Sequence, residues 1–223
     1  MNKSDFQAAK DHVRERLNKF TVKAFRILPA MDKPRILDIG CGTGVPTLKL
    51  AELSNGHITA LDIDREAIDR LEGKIDQAGL SGRVEAVRRS MFEMDFPKDH
   101  FDMIWAEGSI ASIGFEKGLK EWGQFLKPMG FLVVHDSEDL LADKLAVIPV
   151  GGYELLGHFS LDEETWRKEY YLPLQRIIRE ARSSNAGNSE VLAFLDKEQR
   201  EVAMFEKHPA RCCSVFFVMR KRG

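Results

Sequence analysis

The stretch Arg35-Ile36-Leu37-Asp38-Ile39-Gly40-Cys41-Gly42-Thr43-Gly44 constrains this chain more than any other. An apolar, strand-like run ends in three glycines spaced two apart. Glycine costs backbone entropy, so three at a strand's exit imply a tight turn and a close approach to the backbone. A helical pattern begins at Val45, so the turn ends beside a helix N-terminus with free N–H donors and partial positive charge. Strand, glycine turn and helix together suit a nucleotide-like ligand.

The rest of the chain repeats that rhythm. Short apolar runs at 35–39, 57–61, 84–87, 101–106 and 130–135 alternate with helical patterns at 45–54, 65–78 and 115–126. Such βαβ alternation predicts a parallel sheet covered by helices, with ligands at the carboxyl ends of its strands. Ahead of it, residues 4–26 read as one helix, with Ser4 and Gln7 at capping-box spacing and Pro29 and Pro34 beyond its end. After residue 137 the pattern predicts a helix over 138–146 and a strand over 153–159. Two amphipathic segments (162–182 and 189–206) follow, split by a Ser/Asn/Gly loop, and a final strand covers 213–219. Two strands flanking a helical insertion predict an antiparallel edge. The expected fold is α/β: a Rossmann-like, seven-stranded, mostly parallel sheet with an antiparallel last strand, helices on both faces, and a helical lid inserted between the last two strands. The expected organisation is a single domain over 1–223, with an N-terminal helical cap (1–30), a cofactor-binding core (33–136) and a lid (160–210).

Composition removes several function classes. Net charge is −2, which gives no overall pull towards nucleic acid or anionic membrane. The three cysteines, Cys41 and the adjacent Cys212 and Cys213, have no metal-site or disulfide spacing, so no metal is expected. The N-terminus is too charged for a signal peptide, and no run approaches a membrane span. The expectation is a cytoplasmic protein.

Among nucleotide classes, a phosphate-binding loop needs a lysine after its glycines, and none follows. A dinucleotide fold needs G-x-G-x-x-G, but Val45 stands where the third glycine belongs. Asp38 would repel a pyrophosphate and favour a cationic ligand. NAD is disfavoured on both counts.

Leu37-Asp38-Ile39-Gly40-Cys41-Gly42-Thr43-Gly44 resembles motif I of the class I S-adenosylmethionine-dependent methyltransferases. The resemblance extends over about residues 33–136. Asp62 falls where that family holds the ribose hydroxyls, with Asp64 the alternative and a natural cap for the next helix. Phe101–Ile104 resembles the fourth strand, and Leu126–Val134 the turn into the fifth, with Met129 in place of the usual second glycine. Ser90-Met91-Phe92 falls at the adenine contact, where an acid is common at position 90. The resemblance implies S-adenosyl-L-methionine as cofactor and S-adenosyl-L-homocysteine as product. The implied cofactor residues are Asp38, Gly40, Cys41, Gly42, Gly44, Asp62, Ile63, Ser90, Met91, Phe92 and Glu107.

Methyl transfer is an in-line displacement that needs positioning and water exclusion, and a proton acceptor only for some acceptors. Glu107 and His135, at strand ends, are the catalytic candidates. Glu107 orients the donor, binds a basic acceptor, or is a solvated loop acid. His135 is a base or a hydrogen-bonded structural histidine. Trp166 and Tyr170, with Tyr171, are candidates for a substrate wall in the lid. The expected partner is a small-molecule acceptor, as in the ubiquinone/menaquinone-biosynthesis type, with no nucleic acid or membrane partner and a homodimer allowed. The alternatives are an RNA or protein methyltransferase and a non-catalytic S-adenosylmethionine-binding module.

Overall fold

The computed structural model describes residues Met1–Gly223. Two helices, α1 (Lys3–Glu15) and α2 (Asn18–Phe25), lead into β1 (Arg35–Ile39), α3 (Val45–Leu53), β2 (His57–Asp62), α4 (Arg65–Gln77) and β3 (Val84–Arg88). Then come β4 (Phe101–Glu107), α5 (Phe115–Gly123), β5 (Leu126–Ser137), α6 (Leu141–Val150) and β6 (Tyr153–Leu161). The inserted lid follows, with α7 (Glu163–Trp166), a π-helical turn over Arg167–Tyr171, α8 (Leu172–Ser183) and α9 (Ser189–Lys207), before the closing strand β7 (Ser214–Lys221).

The seven strands run in the order β3-β2-β1-β4-β5-β7-β6. The first five are parallel, and β7 is antiparallel to both of its neighbours. The expected fold is present, with one change. The antiparallel strand is not the edge: β7 lies between β5 and β6. Its run Val215–Met219 is apolar at every position and buried on both faces, which suits an interior strand. β6 carries Glu154 and Ser160 on exposed positions and takes the edge.

Strand alternation builds two cores. Ile36, Met103, Trp105, Val133 and Val218 face α3 and α4, meeting Leu50, Ile68 and Leu71. Leu37, Ile39, Ile104, Leu132 and Phe217 face the other way, against Leu119 and Trp122 of α5 and Ile148 of α6. A third core forms in the lid from Tyr170, Tyr171, Leu174, Ile178, Leu195 and Phe205, and Phe6 and Val13 of α1 belong to it. The N-terminal helix is therefore built into the lid.

The helix expected over 4–26 breaks at Arg16–Leu17. Its start is also earlier than expected: Asn2 caps it, with Asp5 returning the bond to the Asn2 N–H, so the Ser4/Gln7 box is not used. The helix expected over 138–146 runs from Leu141 to Val150, because β5 continues to Ser137 and Leu140 turns the chain at φ +57°. The π-helical turn has a local cause. Pro173 has no N–H to give to the carbonyl four residues back, at Glu169. Arg16 of α1 supplies the missing donor, Nε to Glu169 O at 3.1 Å, while its Nη2 takes the Glu169 carboxylate at 3.1 Å. Lys19 takes the other carboxylate oxygen at 3.0 Å.

Met129, half-exposed in the turn that begins β5, sits at φ +63°. A side chain with a Cβ is strained there, whereas glycine is not. Met129→Gly is expected to stabilise the fold by about 0.5–1 kcal/mol, read as a rise of about 1–4 °C in Tm. An unchanged or lower Tm removes the strain argument.

Candidate active site

The strand order reverses between β1 and β4, and the crevice beyond their carboxyl ends is the candidate site. Three glycines line the turn out of β1, for different reasons. A Cβ on Gly40 would lie 2.5 Å from the Ser109 Cβ, and one on Gly44 would lie 2.2 Å from Leu71 Cδ1. These two let the loop close onto β4's exit and onto α4. Gly42, at φ +52°, faces open space, so this is the point at which a ligand can reach the backbone.

Asp62 ends β2 and supports that loop. Its Oδ2 accepts the Gly42 N–H at 2.8 Å and its Oδ1 the Asp64 N–H at 2.9 Å. Asp64 caps α4 through the N–H groups of Glu66 and Ala67, so the two acids have separate jobs. Asp62 borders a groove of about 480 Å³ together with Gly40, Gly42, Ile63 and the Ser90–Phe92 loop. Ile63 and Phe92 are 67 % and 58 % exposed, leaving two apolar side chains open to a flat ring. Ser90 Oγ accepts the Phe92 N–H at 3.2 Å and shapes this loop itself.

A second cavity of about 480 Å³ adjoins the groove, and the two share Arg14, Gly40, Glu107 and Gly108. Asp38, Cys41, His135, Trp166, Tyr170 and Tyr171 line it under the lid. Of the expected site residues, Gly44 borders neither cavity. Cross-strand pairing explains why distant residues meet. Glu107 pairs with His135, His135 with Phe216, and Phe216 with Phe159, one row across β4, β5, β7 and β6.

The charges in this crevice are held in unusual states. Asp38 is 2 % exposed and accepts the Thr47 hydroxyl at 2.6 Å. Burial, reinforced by the charges of Glu107 and Asp62 and opposed by the Thr47 bond, pushes its carboxyl up to about 7. Burial also raises Glu107, against the bonds it accepts at Oε1 from Trp105 Nε1 and Thr21 Oγ1, each at 2.8 Å, and against the charge of Arg14. Both acids share one pocket and neither has a cation bonded to it, so a ligand cation stabilises both. Burial pushes His135 down to about 4, which leaves a neutral imidazole. Its ring stacks 4.3 Å from Phe216, and its Nε2 lies 2.7 Å from Ser214 Oγ, which also accepts Trp166 Nε1 at 3.0 Å. The Cys41 thiol is raised by burial, as are the Tyr170 and Tyr171 phenols, so all three stay protonated.

Residues 36–130 match the family model described as a methyltransferase domain. Over these residues the chain is similar to class I S-adenosylmethionine-dependent methyltransferases. A sterol 24-C-methyltransferase of Gibberella zeae is 27 % identical over 177 residues, covering 66 % of this chain and 46 % of that protein. A ubiquinone/menaquinone biosynthesis C-methyltransferase of Vibrio vulnificus is 29 % identical over 133 residues, 58 % of this chain and 50 % of that one. The chain thus spans about half the length of these curated relatives. Two solved structures share the fold. One is an S-adenosylmethionine-dependent methyltransferase from Geobacter sulfurreducens with S-adenosyl-L-homocysteine (TM-score 0.73, 16 % identity, 93 % of this chain and 91 % of that one). The other is the [4+2]-cyclase SpnF (TM-score 0.74, 20 % identity, 92 % and 81 %). No helix of the chain is long and apolar enough to cross a membrane.

Sequence reasoning missed Arg14, Thr21, Thr47 and Ser214. Thr47 carried a signal, since the turn out of β1 brings the first turn of α3, where it stands, back beside Asp38. Arg14, Thr21 and Ser214 carried none, because only packing of α1, α2 and β7 brings them here.

Two outcomes are expected. Asp62→Ala weakens S-adenosyl-L-homocysteine binding by about tenfold or more, because ribose hydroxyls lose a charged acceptor and the Gly42 N–H loses its partner; wild-type affinity by calorimetry removes the ribose assignment. An ammonium ligand needs ionised Asp38, whose free-protein value is about 7. Affinity is therefore full above pH 7 and falls by about tenfold per pH unit below it, until the bound-state value is reached. Asp38→Asn flattens that profile; an unchanged slope in the variant assigns the titration to another group.

Proposed function

We propose that this chain transfers a methyl group from S-adenosyl-L-methionine to a small-molecule acceptor enclosed under the lid. One observation carries the reading: a groove suited to an adenosine opens, at Gly40, Glu107 and Gly108, into a separate roofed cavity. Two ligands can therefore meet end to end, as an in-line displacement requires.

The residues fit this cofactor. The open face of Gly42, the Asp62 carboxylate and the exposed Ile63 and Phe92 suit a ribose and adenine. Asp38 and Glu107, both raised and without a bonded cation, suit an α-ammonium beside a sulfonium. Arg14, in no ion pair and bordering both cavities, suits the cofactor's carboxylate. When bound, S-adenosyl-L-methionine supplies a methyl group already activated by its positive sulfur. The protein's part is positional. Thr47 holds Asp38, Trp105 and Thr21 hold Glu107, and the lid excludes water. His135, neutral and anchored to Ser214, orients the acceptor through its ring; at about 4 it is a weak base near neutral pH. Trp166 and Tyr170 form the acceptor's wall. The relatives acting on sterols and quinones support a small molecule as acceptor.

Thermal unfolding with S-adenosyl-L-methionine, S-adenosyl-L-homocysteine and NAD in parallel tests this reading. At about 100 times its dissociation constant, a ligand adds roughly 2.7 kcal/mol, a rise of about 5–10 °C for a chain of this size. The expected result is a rise with the two adenosyl-sulfur compounds and none with NAD. A rise with NAD alone overturns the proposal. Binding without S-adenosyl-L-homocysteine release across acceptor screens leaves a non-catalytic binding module instead.

A further inference from the structure

Beyond the cofactor, the roofed cavity has a charge balance of its own. Asp136 is matched by Lys144 at 2.7 Å, with both side chains nearly buried. Glu201 shares Lys10 with Glu198, at 3.0 and 2.5 Å. Asp38 and Glu107 line the same cavity at its Gly40 end, where Glu107 also borders the cofactor groove. Arg211 remains. It stands in the short 3-10 turn Pro209–Cys212 that leads from the lid into β7, it borders the roofed cavity and not the cofactor groove, and its side chain makes no ion pair or hydrogen bond within the protein. Arg14, at the Gly40 end, is also free of ion pairs but is taken by the cofactor's carboxylate in the reading above, which leaves Arg211 for the acceptor.

Its walls have a shape preference too. The rings of His135 and Phe216 lie within 13° of parallel, and those of His135 and Trp166 within 14°. Phe159 continues the stack on Phe216 at 5.1 Å and 18°. Rings held in one orientation favour a flat guest over a globular or flexible one.

We propose that the acceptor is a flat ring compound bearing one carboxylate, with the ring against the His135–Trp166 wall and the carboxylate on the Arg211 guanidinium. The proposal rests on the methyltransferase reading and deepens it. A guanidinium fork matches a carboxylate's two oxygens and its single charge. A phosphate dianion would leave surplus negative charge near Asp136 and Glu201. An amine would set a second cation beside Arg211. A neutral ring would use the walls and leave Arg211 unused.

Calorimetry with three probes sharing one phenol ring separates these cases: 4-hydroxybenzoate, its methyl ester and tyramine. Each is titrated into the wild-type chain with and without saturating S-adenosyl-L-homocysteine. The acid is expected to bind at least tenfold more tightly than the ester or the amine. Arg211→Gln is expected to remove that preference while S-adenosyl-L-homocysteine affinity stays at the wild-type value. Arg211→Lys, which keeps the charge and loses the fork, is expected to fall between. Arg211 is exposed, so neither variant threatens the fold. Equal or better binding of ester or amine, no measurable binding of the acid, or a preference that survives Arg211→Gln overturns the proposal. Failure of the methyltransferase reading shows separately, as absence of S-adenosyl-L-homocysteine binding to the wild type.

Discussion

The buried carboxylate of Asp11 sets where the upper half of this molecule sits. It is 4 % exposed, accepts the Thr43 hydroxyl at 2.7 Å, and pairs with Lys74 at 2.8 Å. Lys74 also donates to the Thr43 carbonyl at 2.8 Å. Three elements far apart in sequence meet there: α1, the glycine turn and α4. A buried acid left without these partners costs several kcal/mol, so the cluster is satisfied as a whole or the helix lets go. Because Phe6 and Val13 on the same helix belong to the lid's core, the lid is tied to the cofactor turn through α1.

A second tie follows from a proline. Pro173 leaves the Glu169 carbonyl without its helical donor, and Arg16 fills the gap while Lys19 takes the carboxylate. Lys10 reaches Glu198 and Glu201 on α9 at 2.5 and 3.0 Å. The N-terminal helix thus spends its charges on the lid and on the turn, and leaves Arg14 free between the two cavities. Exposed ion pairs are worth little singly, but these share one helix and act with its apolar face.

The strands were legible because their pattern is local. Val215–Met219 is a continuous apolar run and Ile36–Ile39 one broken only by Asp38, and the strand bounds differ little from those read off the sequence. The order of the last strands was not legible, since nothing in β7 itself says which two strands it separates. The helix start at Asn2 was misplaced because Ser4 and Gln7 offered the same spacing as the cap used. The family resemblance assigned Asp38, Asp62, Gly40, Gly42 and the Ser90–Phe92 loop to the cofactor; all but Asp38 border one groove, and Asp38 lines the adjoining cavity. Gly44, also assigned to the cofactor, borders neither cavity and has Leu71 close against it.

By itself, the sequence determined the βαβ rhythm, the glycine turn and the acids at the strand ends, because these depend on periodicity and on residues within a few positions of one another. Only the tertiary structure decided which of those acids are raised, which cations are matched and which remain free. Those properties depend on burial and on partners brought in by α1, the lid and β7. Asp38 becomes a carboxyl near 7 only when the sheet closes over it. Arg14 and Arg211 come to border the cavities without an ion pair only through the packing of α1 and of the turn before β7.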